Sequence, residues 1–158
     1  MPYLETRFIF DDDLVSKLIG WTTDSLWCHT EGKSRDGESW VGAHAGSGVQ
    51  ARPLDYCKPI REKRYQVPVT DKQYELAMNW QESKIGIPYG YKDILGLLLH
   101  ARIGISDHEL ICSAFEIERY MNAGIYPLNC QLAFAPLITP ETFHLAPMFI
   151  NNCRYSYP

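Results

Sequence analysis

The amino-acid sequence predicts an α+β fold built as a single domain over residues 1–158. Three observations carry that class. The chain has 158 residues, close to the ~150 of one domain and enough to bury roughly 68–70% of its unfolded surface. Much of the first 69 residues alternates apolar and polar positions in short runs bounded by turn signals, and from Thr70 the apolar positions recur every three or four instead. No internal repeat and no linker interrupts the chain.

Tyr3 to Phe10 reads as a first strand. Asp11 to Asp13 then offers a cap for Leu14, Val15, Leu18 and Ile19 at helical spacing, and Gly20 stops that helix. The runs Leu26 to Gly32, Ser39 to Ala45, Gly48 to Arg52 and Glu62 to Val69 follow as an antiparallel meander, broken by Asp36-Gly37, by Gly46-Ser47-Gly48 and by Pro53. Thr70 or Asp71 caps a helix whose Tyr74, Ala77, Met78 and Gln81 step towards Gly86. Two more helices are expected, one over Lys92 to Ala101 and one after Ser106, where Ser106 and Glu109 fit a capping box and Gly124 closes the helix. A later start for the second, at Leu110 or Ile111, is the alternative. Thr139-Pro140-Glu141 sets cap, proline and acid in order for a short last helix, and Cys153 to Tyr157 reads as a closing strand.

Hydrophobic residues at 46% and charged residues at 22% are ordinary globular usage, which excludes disordered, collagen-like and coiled-coil classes. A net charge of −4 supplies no electrostatic reason for a nucleic-acid partner. The five cysteines are odd in number, irregularly spaced and without a C-x-x-C pair, so free thiols are expected rather than a disulfide framework. Neither a metal nor another cofactor is expected, since Cys28 and His29 adjoin and adjacent strand residues point to opposite faces. The start Met-Pro-Tyr-Leu-Glu-Thr-Arg lacks the basic-then-apolar order of a secretory signal, which predicts the cytoplasm of the producing cell. Ile94 to Leu99 continues apolar through Ile105, but His100 and Arg102 interrupt it. The run predicts a buried helix, or a surface that meets lipid, and no transmembrane span.

Two segments carry candidate chemistry. Period-two alternation puts Trp27, His29 and Glu31 on one face of their strand, and Trp40, Gly42 and His44 on one face of the next, so two imidazoles and an acid can converge if the register allows. That combination suits a general base and the group that orients it, although a lone strand histidine is more often a half-exposed structural residue. In the helix after Ser106, Leu110, Ala114, Ile117 and Met121 form the core stripe, and Cys112 falls off it with Glu116 and Arg119. A thiol near a helix start is biased towards thiolate, whereas the plain alternative for Cys112 is a small buried residue.

The order of features resembles a known family: Trp27-Cys28-His29-Thr30-Glu31, Trp40-Val41-Gly42-Ala43, Gly48-Val49-Gln50-Ala51-Arg52-Pro53, Tyr65-Gln66-Val67-Pro68-Val69-Thr70, Gly86-Ile87-Pro88-Tyr89-Gly90-Tyr91 with Leu95-Gly96, and Ile111-Cys112-Ser113-Ala114-Phe115 with Ala123-Gly124. It is similar to the circularly permuted branch of the NlpC/P60 papain-like superfamily, the YiiX/LRAT-like branch, whose members include many small proteins of bacteria and their phages. The likeness runs from about Trp21 to Gly124. It implies a papain-like core, with a helix bearing Cys112 packed on a small barrel-like sheet bearing His29. Cys112 is then the nucleophile, its backbone N–H an oxyanion donor, and His29 the base. Tyr89 matches an aromatic that lines the cleft, and Trp27 and Trp40 are further candidates for the substrate wall. Many members carry a glutamate on the second strand, where Gly42 stands here, and an acid after Cys-Ser, where Ala114 stands. The orienting role therefore falls first to Glu31 and second to His44. The implied activity is a thiol hydrolase acting on a peptide, cell-wall or other acyl substrate. A binding module on a papain-like fold, in a phage or host interaction, is the alternative.

Two further signals have plain readings. Gly46-Ser47-Gly48 lacks the helix start and lysine of a phosphate loop and reads as a hairpin turn. Lys58, Arg61, Lys63 and Arg64 gather at a strand start, where charges protect an edge.

Overall fold

The computed structural model describes residues 1–11, 25–90, 111–128, 138–151 and 154–155. Eight residues of alternating character form β1 (Tyr3–Phe10), the strand on which the sheet is assembled. Its Leu4, Thr6 and Phe8 meet the helical layer, while Glu5, Arg7 and Ile9 face the other way. On one side β1 pairs antiparallel with β2 (His29–Lys33), which pairs with β3 (Ser39–His44), which pairs with β4 (Gly48–Pro53). On its other side β1 pairs with β5 (Arg61–Pro68) from Tyr3↔Pro68 to Phe10↔Arg61. The short β6 (Arg154–Tyr155) adds to β5, giving the order β4-β3-β2-β1-β5-β6.

The expected meander holds through β4 and then fails, because β5 returns to β1 instead of continuing outward. Turn residues dictate local hairpins, whereas the partner of β5 is chosen by burying Tyr65 and Val67 beside Leu4 and Phe8. The described sheet has two edge strands, β4 and β6, and does not close on itself by hydrogen bonds as a barrel.

Helix α1 (Asp71–Ser83) starts on a capping box in which the Thr70 hydroxyl accepts from the Gln73 N–H at 3.3 Å and the Gln73 side chain accepts from the Thr70 N–H at 3.0 Å. Helix α2 (Cys112–Asn122) begins at Cys112 itself, with Ile111 as cap residue, and ends before Gly124 at φ +73°. The later of the two expected starts is therefore the one formed. Helices α3 (Pro140–His144), capped by Thr139, and α4 (Pro147–Asn151) complete the layer. The helices expected from Asp11 to Gly20 and from Lys92 to Ala101 lie outside the described residues. Among the described residues no helix is long and apolar enough to cross a membrane.

A buried polar network fixes α2 to the sheet. Arg119 donates to the Glu116 carboxylate at 2.8 Å, the Thr6 hydroxyl at 2.8 Å, the Glu5 carbonyl at 3.1 Å and the Gln81 side-chain carbonyl at 3.0 Å. Burial raises the Glu116 carboxyl to about 7, against the opposing pull of Arg119 and Thr6. The guanidinium lies on Gly32 of β2, where a Cβ would stand 2.3 Å from Arg119 Nη1 and 2.6 Å from Glu116 Oε1. Four hydrogen bonds leave the guanidinium no room to yield. Gly32→Ala is therefore expected to lower stability by about 1–3 kcal/mol in urea denaturation, the usual cost of overpacking. An unchanged midpoint would show that the network shifts freely.

Candidate active site

Strand β2 and helix α2 bring the two segments together. Cys112 is the first residue of α2, and its sulfur lies 4.0 Å from the Cys28 carbonyl oxygen, one residue before β2 begins. The first helical bond runs from the Phe115 N–H to the Ile111 carbonyl at 2.9 Å. By helix geometry the N–H groups of the preceding turn, including that of Cys112, point out of the helix end. Among the described residues no side chain caps this end and no acid stands in its first turn, which leaves the positive end of the helix dipole to favour a thiolate. Ala114, in the first turn, contributes no charge there.

His29 opens β2 with 16% of its side chain exposed, while Glu31 is fully buried two residues on. One Glu31 oxygen, Oε1, lies 3.3 Å from His29 Nε2 and 3.1 Å from His44 Nε2, and accepts the Tyr56 hydroxyl at 2.7 Å. The other, Oε2, accepts from Arg7 Nε at 2.6 Å. Arg7 is buried, directly opposite Glu31 in the β1–β2 pair, and its guanidinium lies 4.5 Å from the Trp40 ring centre and 5.2 Å from that of Tyr56. A Cβ at Gly42 would stand 2.9 Å from Glu31 Cγ. Gly42 of β3, where the resemblance led to the expectation of an acid, thus leaves room for the Glu31 side chain of β2.

Burial alone would depress the His29 imidazolium, but the charge and hydrogen bond of Cys112, followed by Glu31, outweigh it and push His29 up to about 10. Burial would raise the Glu31 carboxyl, yet contacts with both histidines and the Arg7 charge hold it well below the usual carboxylate range. His44 is lowered by burial, with the charge on His29 adding to the effect and Glu31 opposing it. The two imidazoles, 4.8 Å apart between ring centres, therefore differ in charge: His29 carries the proton and His44 stays neutral.

Cys112, His29, Glu31 and His44 are brought together. Trp27, Trp40 and Tyr89 are buried: Trp40 is the platform under Arg7, Trp27 packs on Phe8 and His144, and Tyr89 belongs to the core cluster. Arg7 and Tyr56 were not apparent as site residues. Arg7 alternates in β1 like a solvent-facing charge, and Tyr56 sits in the β4–β5 connection, where no periodicity applies. Although no metal ligands were expected, His29, Glu31 and His44 each offer one ligand-type atom, all within 4.8 Å of one another.

A scan against protein-family models and a search of curated proteins find no match to this sequence. Among solved structures, one similar chain is the metalloprotein YiiX of Escherichia coli O157:H7, with a TM-score of 0.69 and 18% sequence identity over 99% of this chain and 96% of that one. The fold is YiiX-like. At that identity the likeness speaks for the path of the backbone, and the chemistry rests on the residues described above.

The charge assignment is open to direct measurement by NMR titration of the histidine ring protons. His29 is expected to stay protonated past neutral pH and titrate near 10, His44 to titrate below the ordinary 6.5, and His144 near 4. In Cys112→Ser the His29 midpoint is expected to fall towards the ordinary histidine value, because the sulfur charge that holds its proton is gone. A His29 midpoint near 6.5 in both proteins would remove the pairing.

Proposed function

We propose that this chain is a thiol hydrolase with a permuted papain-like arrangement, in which Cys112 is the nucleophile, His29 the base and Glu31 the orienting acid. The observation that carries this reading is the placement of Cys112 at a helix start beside a histidine whose charged form is favoured first by the Cys112 sulfur and then by the buried, Arg7-paired carboxylate of Glu31. His29 accepts the thiol proton, and the sulfur attacks the carbonyl carbon of an amide or ester, forming the C–S bond. The oxyanion that develops faces the helix end, where the Cys112 N–H is a donor. The imidazolium then protonates the departing amine or alcohol as its bond to carbon breaks, leaving an acyl-enzyme. Water, giving a proton to His29, attacks the thioester, the acid departs and the thiol is restored.

A peptide amide such as a cell-wall cross-link is the first substrate class, and a lipid or other acyl ester the second. A domain that binds such ligands without cleaving them is the competing reading. YiiX is described as a metalloprotein, and a donor set suited to a metal ion is present here: His29, Glu31 and His44 offer two imidazoles and a carboxylate, and the two histidine Nε2 atoms are buried without a hydrogen-bond partner. A bound ion there would supply Lewis acidity.

Iodoacetamide labelling followed by mass spectrometry across pH separates the enzyme from the binding module. Cys112 is expected to label faster than the other four cysteines near neutral pH, with the advantage abolished in His29→Ala. Labelling of Cys112 no faster than the rest would sink the hydrolase. Glu31→Gln, which keeps the shape but removes the charge that holds the His29 proton, is expected to slow Cys112 labelling near pH 6.5 at least about tenfold. Circular dichroism is the control for folding, since the same change leaves Arg7 buried without its partner.

A further inference from the structure

We infer that His29, Glu31 and His44 form a site for one divalent transition-metal ion of the zinc class, and that occupancy of this site switches the Cys112 thiol off. Glu31 Oε1 lies 3.3 Å from His29 Nε2 and 3.1 Å from His44 Nε2. Two atoms bonded at ~2.0–2.1 Å to one tetrahedral zinc stand about 3.3 Å apart, so both edges already have the length that shared coordination requires. The set of two histidines and one glutamate, with a position left open, is that of catalytic zinc sites.

Hydrogen bonding alone does not account for the convergence. Oε1 already accepts the Tyr56 hydroxyl at 2.7 Å, and an oxygen with two lone pairs cannot serve three donors. Both Nε2 atoms approach it closely yet neither has a partner in hydrogen-bond geometry. Two imidazole nitrogens without a hydrogen-bond partner and one carboxylate oxygen, all within 4.8 Å of one another, suit a cation better than three hydrogens converging on one atom. Arg7 holds only Oε2, which leaves Oε1 for the ion. Cys28 is turned elsewhere, with its sulfur towards the Ile9 carbonyl at 3.2 Å, and His144 is paired with the Tyr65 hydroxyl at 2.6 Å.

The switch follows from electron counting on one ring. Neutral imidazole has one N–H and one lone pair. When His29 gives that pair to a metal it has none for the thiol proton, and when it holds the thiol proton it has none for a metal. Metal-bound and catalytic forms of His29 are therefore exclusive. This consequence for Cys112 rests on the hydrolase reading, while the site itself does not.

The full chain, stripped with EDTA, is titrated with Co2+ and followed by visible absorption. The expected result is saturation at one equivalent, with d–d bands displaced by Zn2+. Affinity is expected to fall at least tenfold in His44→Ala and in the milder His44→Gln, and to change only a few-fold in Cys112→Ser. In parallel, one equivalent of Zn2+ is expected to slow iodoacetamide labelling of wild-type Cys112 at least tenfold, with recovery on adding EDTA. In the His44 variants the Zn2+ needed for half-protection should rise in step with the loss of Co2+ affinity. Absence of Co2+ bands in the wild type overturns the site, as does binding that survives both His44 variants and disappears in Cys112→Ser. Stoichiometric binding that leaves labelling unchanged overturns the switch. If Cys112 is unreactive even in the EDTA-treated protein, the hydrolase and the switch fall together, and the Co2+ titration still decides the site.

Discussion

The carboxylate of Glu31 is a full charge with no exposure to water, and the site is arranged around the need to match it. An unmatched charge there would cost several kcal/mol, and Arg7 meets that cost from the neighbouring strand through a 2.6 Å bond. Arg7 must itself be buried, so Trp40 lies beneath it and Tyr56 beside it. Glu62, 3.4 Å from Arg7, is in turn paired with Arg64 at 2.7 Å, and the Arg64 guanidinium also lies over Trp40. Aromatic residues that would suit a substrate wall are used to hold a guanidinium in place. The orientation of His29 is the last consequence of that chain of contacts.

Adjacent residues of β1 serve the two faces of the sheet. Arg7 anchors Glu31, and hence His29, on one face; Thr6 bonds Glu116 and Arg119 of α2 on the other. Since Cys112 begins α2, the Thr6 network sets where the sulfur stands and the Arg7 network sets how the imidazole is held. Two glycines permit this closeness. Gly32 lets the Arg119 guanidinium reach the sheet, and Gly42 leaves the volume that Glu31 fills. The relative position of Cys112 and His29 therefore depends on two buried ion pairs, one on each face of the sheet, joined through β1 and β2.

Where the chemistry is local, the sequence was legible. β1 has the bounds expected, α1 begins on the expected threonine, and α3 follows Thr139-Pro140-Glu141, because alternation and capping are decided within a few residues. The pairing of β5 with β1 depends on contacts about 60 residues apart and left no local mark. The start of α2 went the same way: Ser106 and Glu109 form a plausible cap on paper, yet the helix begins at Cys112 without any side-chain cap. At the site, alternation put His29 and Glu31 on one face and His44 on its neighbour, and register then joined them. Arg7 was hidden by the general rule that charged strand residues face water, a rule that a buried carboxylate overrides.

Charge bookkeeping ties the proposed reaction to the proposed ion. Arg7 and Glu31 sum to zero, while burial keeps His44 and Tyr56 uncharged. A neutral cluster is the cheapest one to keep away from water. Replacing the proton on His29 by a divalent ion adds one positive charge to the same volume. That excess favours retention of an anion such as hydroxide at the open position. An ion at these three ligands would thus withdraw the base on which the proposed nucleophile depends. The same convergence on Glu31 that would orient His29 in the proposed reaction is what would admit the proposed ion in its place.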